Sequence, residues 1–472
     1  MSNQPESPSP GDQTQPAAGR QLWLILLVVG LGMVSCLLAS TSFNVAVPAL
    51  MAHFGLGQSQ VQWAVTAFIA AMTVGMLPTV WLVRRLGLRA LFLGAISVMA
   101  AAGTLGYFAS EFWAVVVLRA IQGVAAGILQ PLGTIAVMAL VPPERRGNAT
   151  GLLSFGIILA PALAPSLSGV LLDRFGWSAI FLLNLPACLL AAALGVFFLP
   201  GPRAWERRSF DWIGLGLLTI LSLALVEGLA SLQHSGVGSL WTWLFIGLVP
   251  VSLIGFLVHA GRTRHPILSL GAFADRSFTL GTLVTFAYGF GLYASTYLIP
   301  VFLQQALHFT ATAAGTMLMP SGLMLAATIP VAGRLADRVS PVRVTMCGLA
   351  LFFFSFVYLA LWASRVGTAE IVGATIVGRI GLGLLLPALT IATLRNLQRS
   401  AMSEASVLTN YVRQIGCIMG VAIAATFVAG RQDAYAKLPD GIMRAYSEGF
   451  VLVAAMFLIA LLAAAFMHPR RP

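Results

Sequence analysis

The feature that most constrains this chain is a series of fourteen apolar runs of about 20 residues, separated by short polar loops. A helix of that length crosses the roughly 30 Å hydrocarbon core of a bilayer, because each residue advances a helix by about 1.5 Å. The sequence therefore predicts an all-α polytopic membrane protein with 14 transmembrane helices. The predicted spans cover residues 22–46, 61–83, 90–109, 112–140, 151–172, 177–199, 212–232, 241–259, 278–303, 311–331, 342–362, 371–394, 405–428 and 450–466.

The composition excludes a soluble globular domain and several other classes. Of the 472 residues, 58% are hydrophobic and 9% are charged, whereas about a quarter of the residues of a soluble domain are charged. The net charge of +12 does not indicate a nucleic-acid partner, since the basic residues lie in loops that border the bilayer. The four cysteines lie inside apolar runs and the six histidines lack ligand spacing, so we expect no disulfide, metal or cofactor.

The distribution of basic residues predicts the orientation in the membrane. Of the 27 Lys and Arg residues, 19 lie on the termini and one set of loops, five lie on the opposite loops, and three lie inside runs. Because cytoplasmic loops carry the excess of Lys and Arg, both termini are predicted to be cytoplasmic. The polar segment 1–21 is predicted to be a disordered cytoplasmic tail, and 468–472 a second short tail.

An internal repeat predicts two similar halves. Arg119 is followed four residues later by Gly123 in the fourth run, and Arg379 is followed by Gly383 in the twelfth. Basic turns also follow both the second and the tenth runs. We therefore expect two six-helix bundles, at 22–200 and 278–467, joined by an inserted helix pair with its loops at 201–277. A substrate pathway would lie between the bundles.

Six stretches carry a resemblance to a known family. They are NVAVP at 44–48, QW at 62–63, RAIQG at 119–123, APALAPSLSG at 160–169, PVFLQ at 300–304 and RQIG at 413–416. The chain resembles the fourteen-span drug:proton antiporter branch of the major facilitator superfamily, the EmrB/QacA type. The resemblance implies the major facilitator fold and export by proton antiport and alternating access across a bacterial inner membrane. It also allows a periplasmic adaptor protein as a partner, which the sequence itself does not indicate.

The same resemblance assigns residues to gating. It implies that the fifth span seals or flexes the interface between the halves, through Pro161, Pro165 and Gly169, and the alternative is ordinary tight helix packing. It implies that Asp337 holds the start of the eleventh span and a neighbouring arginine, whereas the alternative is a solvated turn. We therefore predict a gating set of Gly123, Pro161, Pro165, Gly169, Gly333, Asp337 and Arg338. In the first half the position equivalent to Asp337 is Arg84, so that latch must be absent or differently built.

Charges inside the runs suggest the substrate and leave the coupling open. Ala39 stands where the branch usually carries an aspartate, so no proton-binding acid is assigned to the first span. Glu227 is the one acid within a run and is a proton-carrier hypothesis, although the implied fold puts the inserted pair away from the cavity. Arg119, Arg379 and Arg413 outnumber it and favour neutral or anionic substrates, unless they bind backbone carbonyls instead.

The sequence thus predicts a secondary active exporter of small hydrophobic or amphipathic compounds, driven by protons. The alternative is a facilitator that is not coupled to protons, or a lipid or metabolite exporter of the same fold. An enzyme is not expected, because catalysis would need clustered His, Asp or Glu side chains within the spans. The predicted pathway residues are Arg119, Gln122, Asn44, Trp63, Gln304, Arg379, Asn410, Arg413 and Glu227.

Overall fold

The computed structural model describes residues 19–201, 209–235, 238–263, 265–362 and 367–467, and these form sixteen α-helices with a few short 3-10 turns. The α-helices are α1 (Gly19–Phe54), α2 (Gln58–Val61), α3 (Trp63–Gly75), α4 (Thr79–Leu86), α5 (Leu88–Tyr107), α6 (Phe112–Leu140), α7 (Arg146–Phe175), α8 (Leu185–Phe198), α9 (Trp212–Ser235), α10 (Leu240–Arg262), α11 (Arg276–Gln305), α12 (Ala311–Arg338), α13 (Pro341–Trp362), α14 (Thr368–Leu394), α15 (Arg399–Ala434) and α16 (Gly441–Ala465).

The predicted fold class, an all-α membrane protein, is confirmed. Twelve helices of the described chain are long and apolar enough to cross a bilayer. The count rises to thirteen when α3 and α4 are taken as one span, bent by 58° next to Pro78. The predicted fifth span falls on the 30-residue α7, in which several side chains lie outside the description. The number fourteen therefore stays a prediction.

The long helices pack as two groups. In the first group α1 contacts α6, α7 and α8, while α6 contacts α3 and α5. In the second group α11 contacts α15 and α16, while α14 contacts α12 and α13. Each group has its own apolar core, around Phe68 and Phe92 in the first and around Phe302, Phe352 and Phe457 in the second. The division of the chain at 22–200, 201–277 and 278–467 stays a prediction.

The pair α9 and α10 packs against itself and also against both groups. Helix α9 contacts α3 of the first group and α15 of the second. The contact with α15 includes a hydrogen bond of 2.8 Å between the hydroxyl groups of Ser222 and Tyr411. The inserted pair therefore touches one helix of each half.

Asp211 fixes the start of α9. Its carboxylate accepts hydrogen bonds from the backbone N–H of Gly214 at 2.8 Å and of Ile267 at 3.0 Å, and it contacts His259 Nε2 at 2.7 Å. Burial opposes ionisation of this carboxyl, but the hydrogen bonds outweigh burial and hold its pKa below the ordinary value. One side chain thus ties together α9, α10 and the segment that leads to α11.

Candidate functional site

Arg119 is fully buried in α6 and is held by neutral groups. Its Nε donates to the Ala64 carbonyl at 3.0 Å, and its Nη1 donates to the Ala39 carbonyl at 2.9 Å and to Gln122 Oε1 at 3.2 Å. The rings of Phe43 and Phe68 cover the guanidinium at 4.2 Å and 4.1 Å. The acceptors of its hydrogen bonds include two backbone carbonyls. Binding of a buried arginine to backbone carbonyls is the alternative that the sequence left open.

The position of Ala39 explains how a buried cation persists without an acid. The resemblance leads one to expect an aspartate there, and the residue that replaces it offers its backbone carbonyl to the same guanidinium. No carboxylate of the described residues forms an ion pair with Arg119. Arg119 Nη2 and Gln122 Nε2 have no hydrogen-bond partner in the described chain, so the group is incompletely satisfied.

A small cavity of about 50 Å³ lies between the two groups of helices. The first group lines it with α1, α6 and α7, and the second with α11, α14 and α15. Hydroxyl groups from both sides line it, among them Thr134, Thr150 and Ser154 on one side and Thr285 and Thr393 on the other. No acidic residue lines it among the described residues, so its polar wall is formed by hydroxyl, amide and guanidinium groups.

Arg413, Asn410 and Tyr288 are the largest polar groups of this cavity. Arg413 Nη2 donates to Asn410 Oδ1 at 2.8 Å, one turn earlier on α15. The Tyr288 hydroxyl is buried and has no hydrogen-bond partner in the described structure. The backbones of α11 and α15 approach closely here, since a Cβ on Gly289 would overlap the Arg413 carbonyl oxygen. The Arg413 guanidinium and the unpaired Tyr288 hydroxyl therefore line the same cavity.

Arg379 lies on α14 and reaches the same helix α11 at a different depth. Its Nη1 and Nη2 both donate to Thr296 Oγ1 at 3.3 Å. Thr296 is eight residues beyond Tyr288 on α11, which corresponds to about 12 Å along the helix axis. No ion pair to Arg379 is present within the described ranges.

The halves are clamped at the end of the bundle that holds the turns after α4 and α12, which we call the arginine-rich end. Asp337 Oδ1 and Oδ2 accept from the backbone N–H groups of Gly147 at 2.7 Å and Asn148 at 2.8 Å. These N–H groups lie in the first turn of α7, where a carboxylate is favoured. We expected Asp337 to hold the start of α13. It binds the start of α7 in the opposite half instead, because α7 and α12 cross next to it.

Glycines make this crossing a backbone contact. A Cβ on Gly333 would overlap the Gly147 carbonyl oxygen, and a Cβ on Gly147 would overlap the Gly333 carbonyl oxygen. A Cβ on Gly151 would come within 3.1 Å of the Gly333 Cα. The absence of side chains thus brings the N-terminal part of α7 against α12 and Asp337 within reach of the helix N-terminus.

The first half uses a charge pair at the related position. Arg84 Nη2 lies 2.9 Å from Glu404 Oε1, which joins α4 to the first turns of α15. The two side chains are 26% and 23% exposed. The latch that the sequence predicted to be absent or differently built is therefore differently built. Sequence reasoning missed Glu404. The internal repeat offered a signal, because it relates α12 to α4 and α7 to α15. A contact between α12 and α7 therefore predicts a related contact between α4 and α15.

The other predicted pathway residues are dispersed. Asn44 is exposed, Trp63 is 41% exposed, and Gln304 is exposed and donates to its own helix at the Pro300 carbonyl. None of them lines the central cavity. Glu227 is half-buried and shares an arc of α9 with Ile220 and Leu223, which are 42% and 44% exposed. That arc faces away from Ser222 and the contact with α15.

The predicted gating residues also differ in their surroundings. Gly123 packs on α3, since a Cβ there would overlap the Phe68 carbonyl oxygen, whereas a Cβ on Gly169 would meet nothing within 4 Å. Arg338 is exposed and makes no hydrogen bond or ion pair within the described structure. Pro161 and Pro165 lie in α7 on a segment whose side chains are outside the described residues.

The helices extend beyond the apolar runs and include acids that the runs excluded. Besides Glu227, the long helices contain acids that lie outside the predicted runs, among them Glu404 in α15 and Glu448 in α16. Glu448 lies 2.6 Å from Arg431 Nε and accepts from the Tyr435 hydroxyl at 2.6 Å. Glu227 is still the one acid within an apolar run, because α15 and α16 continue as helices past the point where hydropathy falls.

Comparisons with known proteins agree with this architecture. The model of the Major Facilitator Superfamily matches residues 29–421 and 281–472. The multidrug export protein EmrB of Escherichia coli strain K12 is 28% identical over 442 residues, which cover 91% of this chain and 85% of that protein. The fatty acid resistance protein FarB of Neisseria gonorrhoeae is 28% identical over 423 residues, 88% of this chain and 83% of that protein. The crystal structure of the human organic anion transporter MFSD10 superposes with a TM-score of 0.68 at 16% identity, covering 95% of this chain and all of that one.

Proposed function

The chain belongs to the Major Facilitator Superfamily, and we propose that it exports anionic and neutral amphipathic compounds across a bacterial inner membrane by proton antiport and alternating access. It is a multi-pass membrane transporter and not an enzyme. The proposed orientation has the arginine-rich end and both termini in the cytoplasm. A periplasmic adaptor remains a prediction of the resemblance.

The observation that carries the substrate class is the central cavity. It combines the Arg413 guanidinium, the Asn410 amide and several hydroxyl groups with apolar side chains such as Met33, Leu386 and Leu389. An organic cation would meet a like charge without a carboxylate to offset it, whereas an anion would find a forked donor. The apolar wall would hold the rest of an amphiphile. The similarity to EmrB, a multidrug export protein, and to FarB, a fatty acid resistance protein, supports this class.

Alternating access would use the contacts at the arginine-rich end. The contact of Asp337 with α7 joins one half to the other, and so does the contact of Arg84 with Glu404. Both contacts must therefore break before the cytoplasmic side opens. Closure of this end would restrict exchange to the opposite side, toward which the small cavity would have to widen to hold an amphiphile. This is the state from which an exporter would release its substrate.

Proton coupling rests on the resemblance alone. The backbone carbonyl of Ala39 accepts a hydrogen bond from Arg119 at the position where a first-span acid would be expected. This observation favours the alternative, a facilitator that is not driven by protons or a lipid or metabolite exporter. Glu227 stays a proton-carrier hypothesis, and its place on the exposed arc of α9 argues against direct contact with the substrate.

Efflux measurements test both the substrate class and the coupling. In a strain that lacks its own exporters, cells with this chain should expel an anionic amphipathic dye faster than a cationic dye of similar size. A protonophore should stop that efflux. Efflux of the anionic dye that survives the protonophore would exclude antiport and favour the facilitator. Preferential efflux of the cationic dye would contradict the proposed substrate class.

A further inference from the structure

The starting point is a pair of arginines in the second helix group, of which Arg413 lines the cavity. Arg413 on α15 donates to the Asn410 amide, and Arg379 on α14 donates to the Thr296 hydroxyl. Neither guanidinium forms an ion pair with any described carboxylate. A guanidinium with neutral partners keeps N–H donors and a full charge available for an incoming anion.

The two arginines contact α11 at successive depths. The backbone carbonyl of Arg413 lies at the level of Gly289, whose missing side chain lets the α15 backbone approach. Arg379 binds Thr296, which is seven residues and about 11 Å further along α11 than Gly289. Distance from the arginine-rich end therefore increases from Arg413 to Arg379.

Tyr288 precedes Gly289 on α11 and lines the cavity together with Arg413. Its hydroxyl is buried and has no partner in the described chain. A buried hydroxyl without a partner is costly, unless a ligand satisfies it for part of the cycle. It is therefore available as a donor to an anion bound at Arg413.

We propose that Arg413 and Arg379 are successive binding positions for the carboxylate of one amphipathic substrate, with the Tyr288 hydroxyl as a further donor at the Arg413 position. Arg413 receives the carboxylate in the central cavity, and Arg379 draws it toward the exit on the far side from the Asp337 clamp. The inference rests on the proposed export of anions and assigns different steps to the two arginines. Arg413 determines affinity, and Arg379 determines the rate of release.

A charged probe and its neutral ester test this division. The probe is cis-parinaric acid, a fluorescent fatty acid, and the control is its methyl ester, both titrated into purified full-length protein. Arg413→Gln should weaken binding of the acid by about tenfold or more, because a charge-assisted hydrogen bond is lost, and should leave binding of the ester unchanged. Arg379→Gln should leave equilibrium binding of the acid within about threefold and slow its transport in proteoliposomes by about tenfold.

Lysine variants and Tyr288→Phe complete the experiment. Arg413→Lys and Arg379→Lys keep the charge and should recover part of the lost binding or transport, and they serve if a glutamine variant fails to fold. Tyr288→Phe should slow transport of the acid more than that of the ester. If the unmodified protein binds acid and ester equally, it does not recognise the carboxylate and the two-position inference is overturned. If it binds neither probe, the proposed substrate class itself is contradicted. If it prefers the acid but both glutamine variants weaken binding alike, or Arg379→Gln transports normally, the two-position inference is overturned.

Discussion

Neutralising Asp337 should open the arginine-rich end of the transporter. The carboxylate accepts two backbone N–H bonds from α7, at 2.7 Å and 2.8 Å. An asparagine side chain at this position would retain one acceptor oxygen, and its amide N–H₂ would face the second donor. A hydrogen bond to a charged group is worth about 1.5–3 kcal/mol and one between neutral groups about 0.5–1.5 kcal/mol, so Asp337→Asn should cost the closed state about 2 kcal/mol. The ratio of closed to open molecules should fall about 30-fold.

A single cysteine in the cavity reports this change. Thr390 lines the cavity and its hydroxyl bonds only to its own helix, at the Leu386 carbonyl, so Thr390→Cys is a mild probe in a variant without the four native cysteines. In inside-out vesicles, an impermeant maleimide should label it about 30-fold faster once Asp337 is neutralised, provided that opening limits labelling.

Two controls separate the clamp from general loosening. Arg338→Gln changes the adjacent exposed residue, which has no partner in the described structure, and should leave the labelling rate unchanged. Asp337→Glu keeps the charge and should label at a rate between those of the parent and the asparagine variant. The reasoning is refuted if Asp337→Asn labels at the parent rate, or if Arg338→Gln accelerates labelling equally.

The remaining predictions concern the other contacts. Arg84→Glu should accelerate the same labelling by less than fivefold, since a pair exposed by about a quarter contributes about 0.2–1 kcal/mol, and adding Glu404→Arg should restore the parent rate. Persistent opening in the double variant would argue against a direct pair. Gly333→Ala should cost the closed state about 1–3 kcal/mol, because its methyl group would overlap the Gly147 carbonyl; normal export by this variant would disprove that contact. The lowered pKa of Asp211 means that its ionised form stabilises the fold above the ordinary carboxyl pKa, and that this contribution disappears as the pH falls through the lowered value. Asp211→Asn should therefore lower the thermal unfolding midpoint at pH 7, with a difference that shrinks in acid, and a pH-independent difference would contradict this.

Much of the fold followed from hydropathy alone, because a bilayer imposes one length and one backbone solution on every span. The run at 112–140, for example, coincides with α6. The extension of α15 and α16 past their apolar runs was not predictable in the same way, since there the helix is held by polar contacts such as Arg431 with Glu448.

The site was predicted less completely than the fold. Arg413 and Asn410 were named as pathway residues and lie together in the cavity, because a charge inside a span is costly unless it has a polar environment. The partners of Asp337 and Arg84 belong to distant parts of the chain, and their identity depends on how two helices cross. That crossing follows from glycines whose effect appears only when the opposing backbone is known.

The contact of α9 with both α3 and α15 has a consequence for compounds dissolved in lipid. These two helices border the seam between the halves on one side of the molecule, and α9 covers that seam from the membrane. Where α7 and α12 join the halves, neither α9 nor α10 makes an extensive contact in the described structure, and Met319 and Leu323 of α12 are exposed. A lipophilic molecule that diffuses laterally through a leaflet therefore meets a shielded flank and an unshielded one. Two otherwise similar halves thus give the transporter a preferred side for entry from the bilayer.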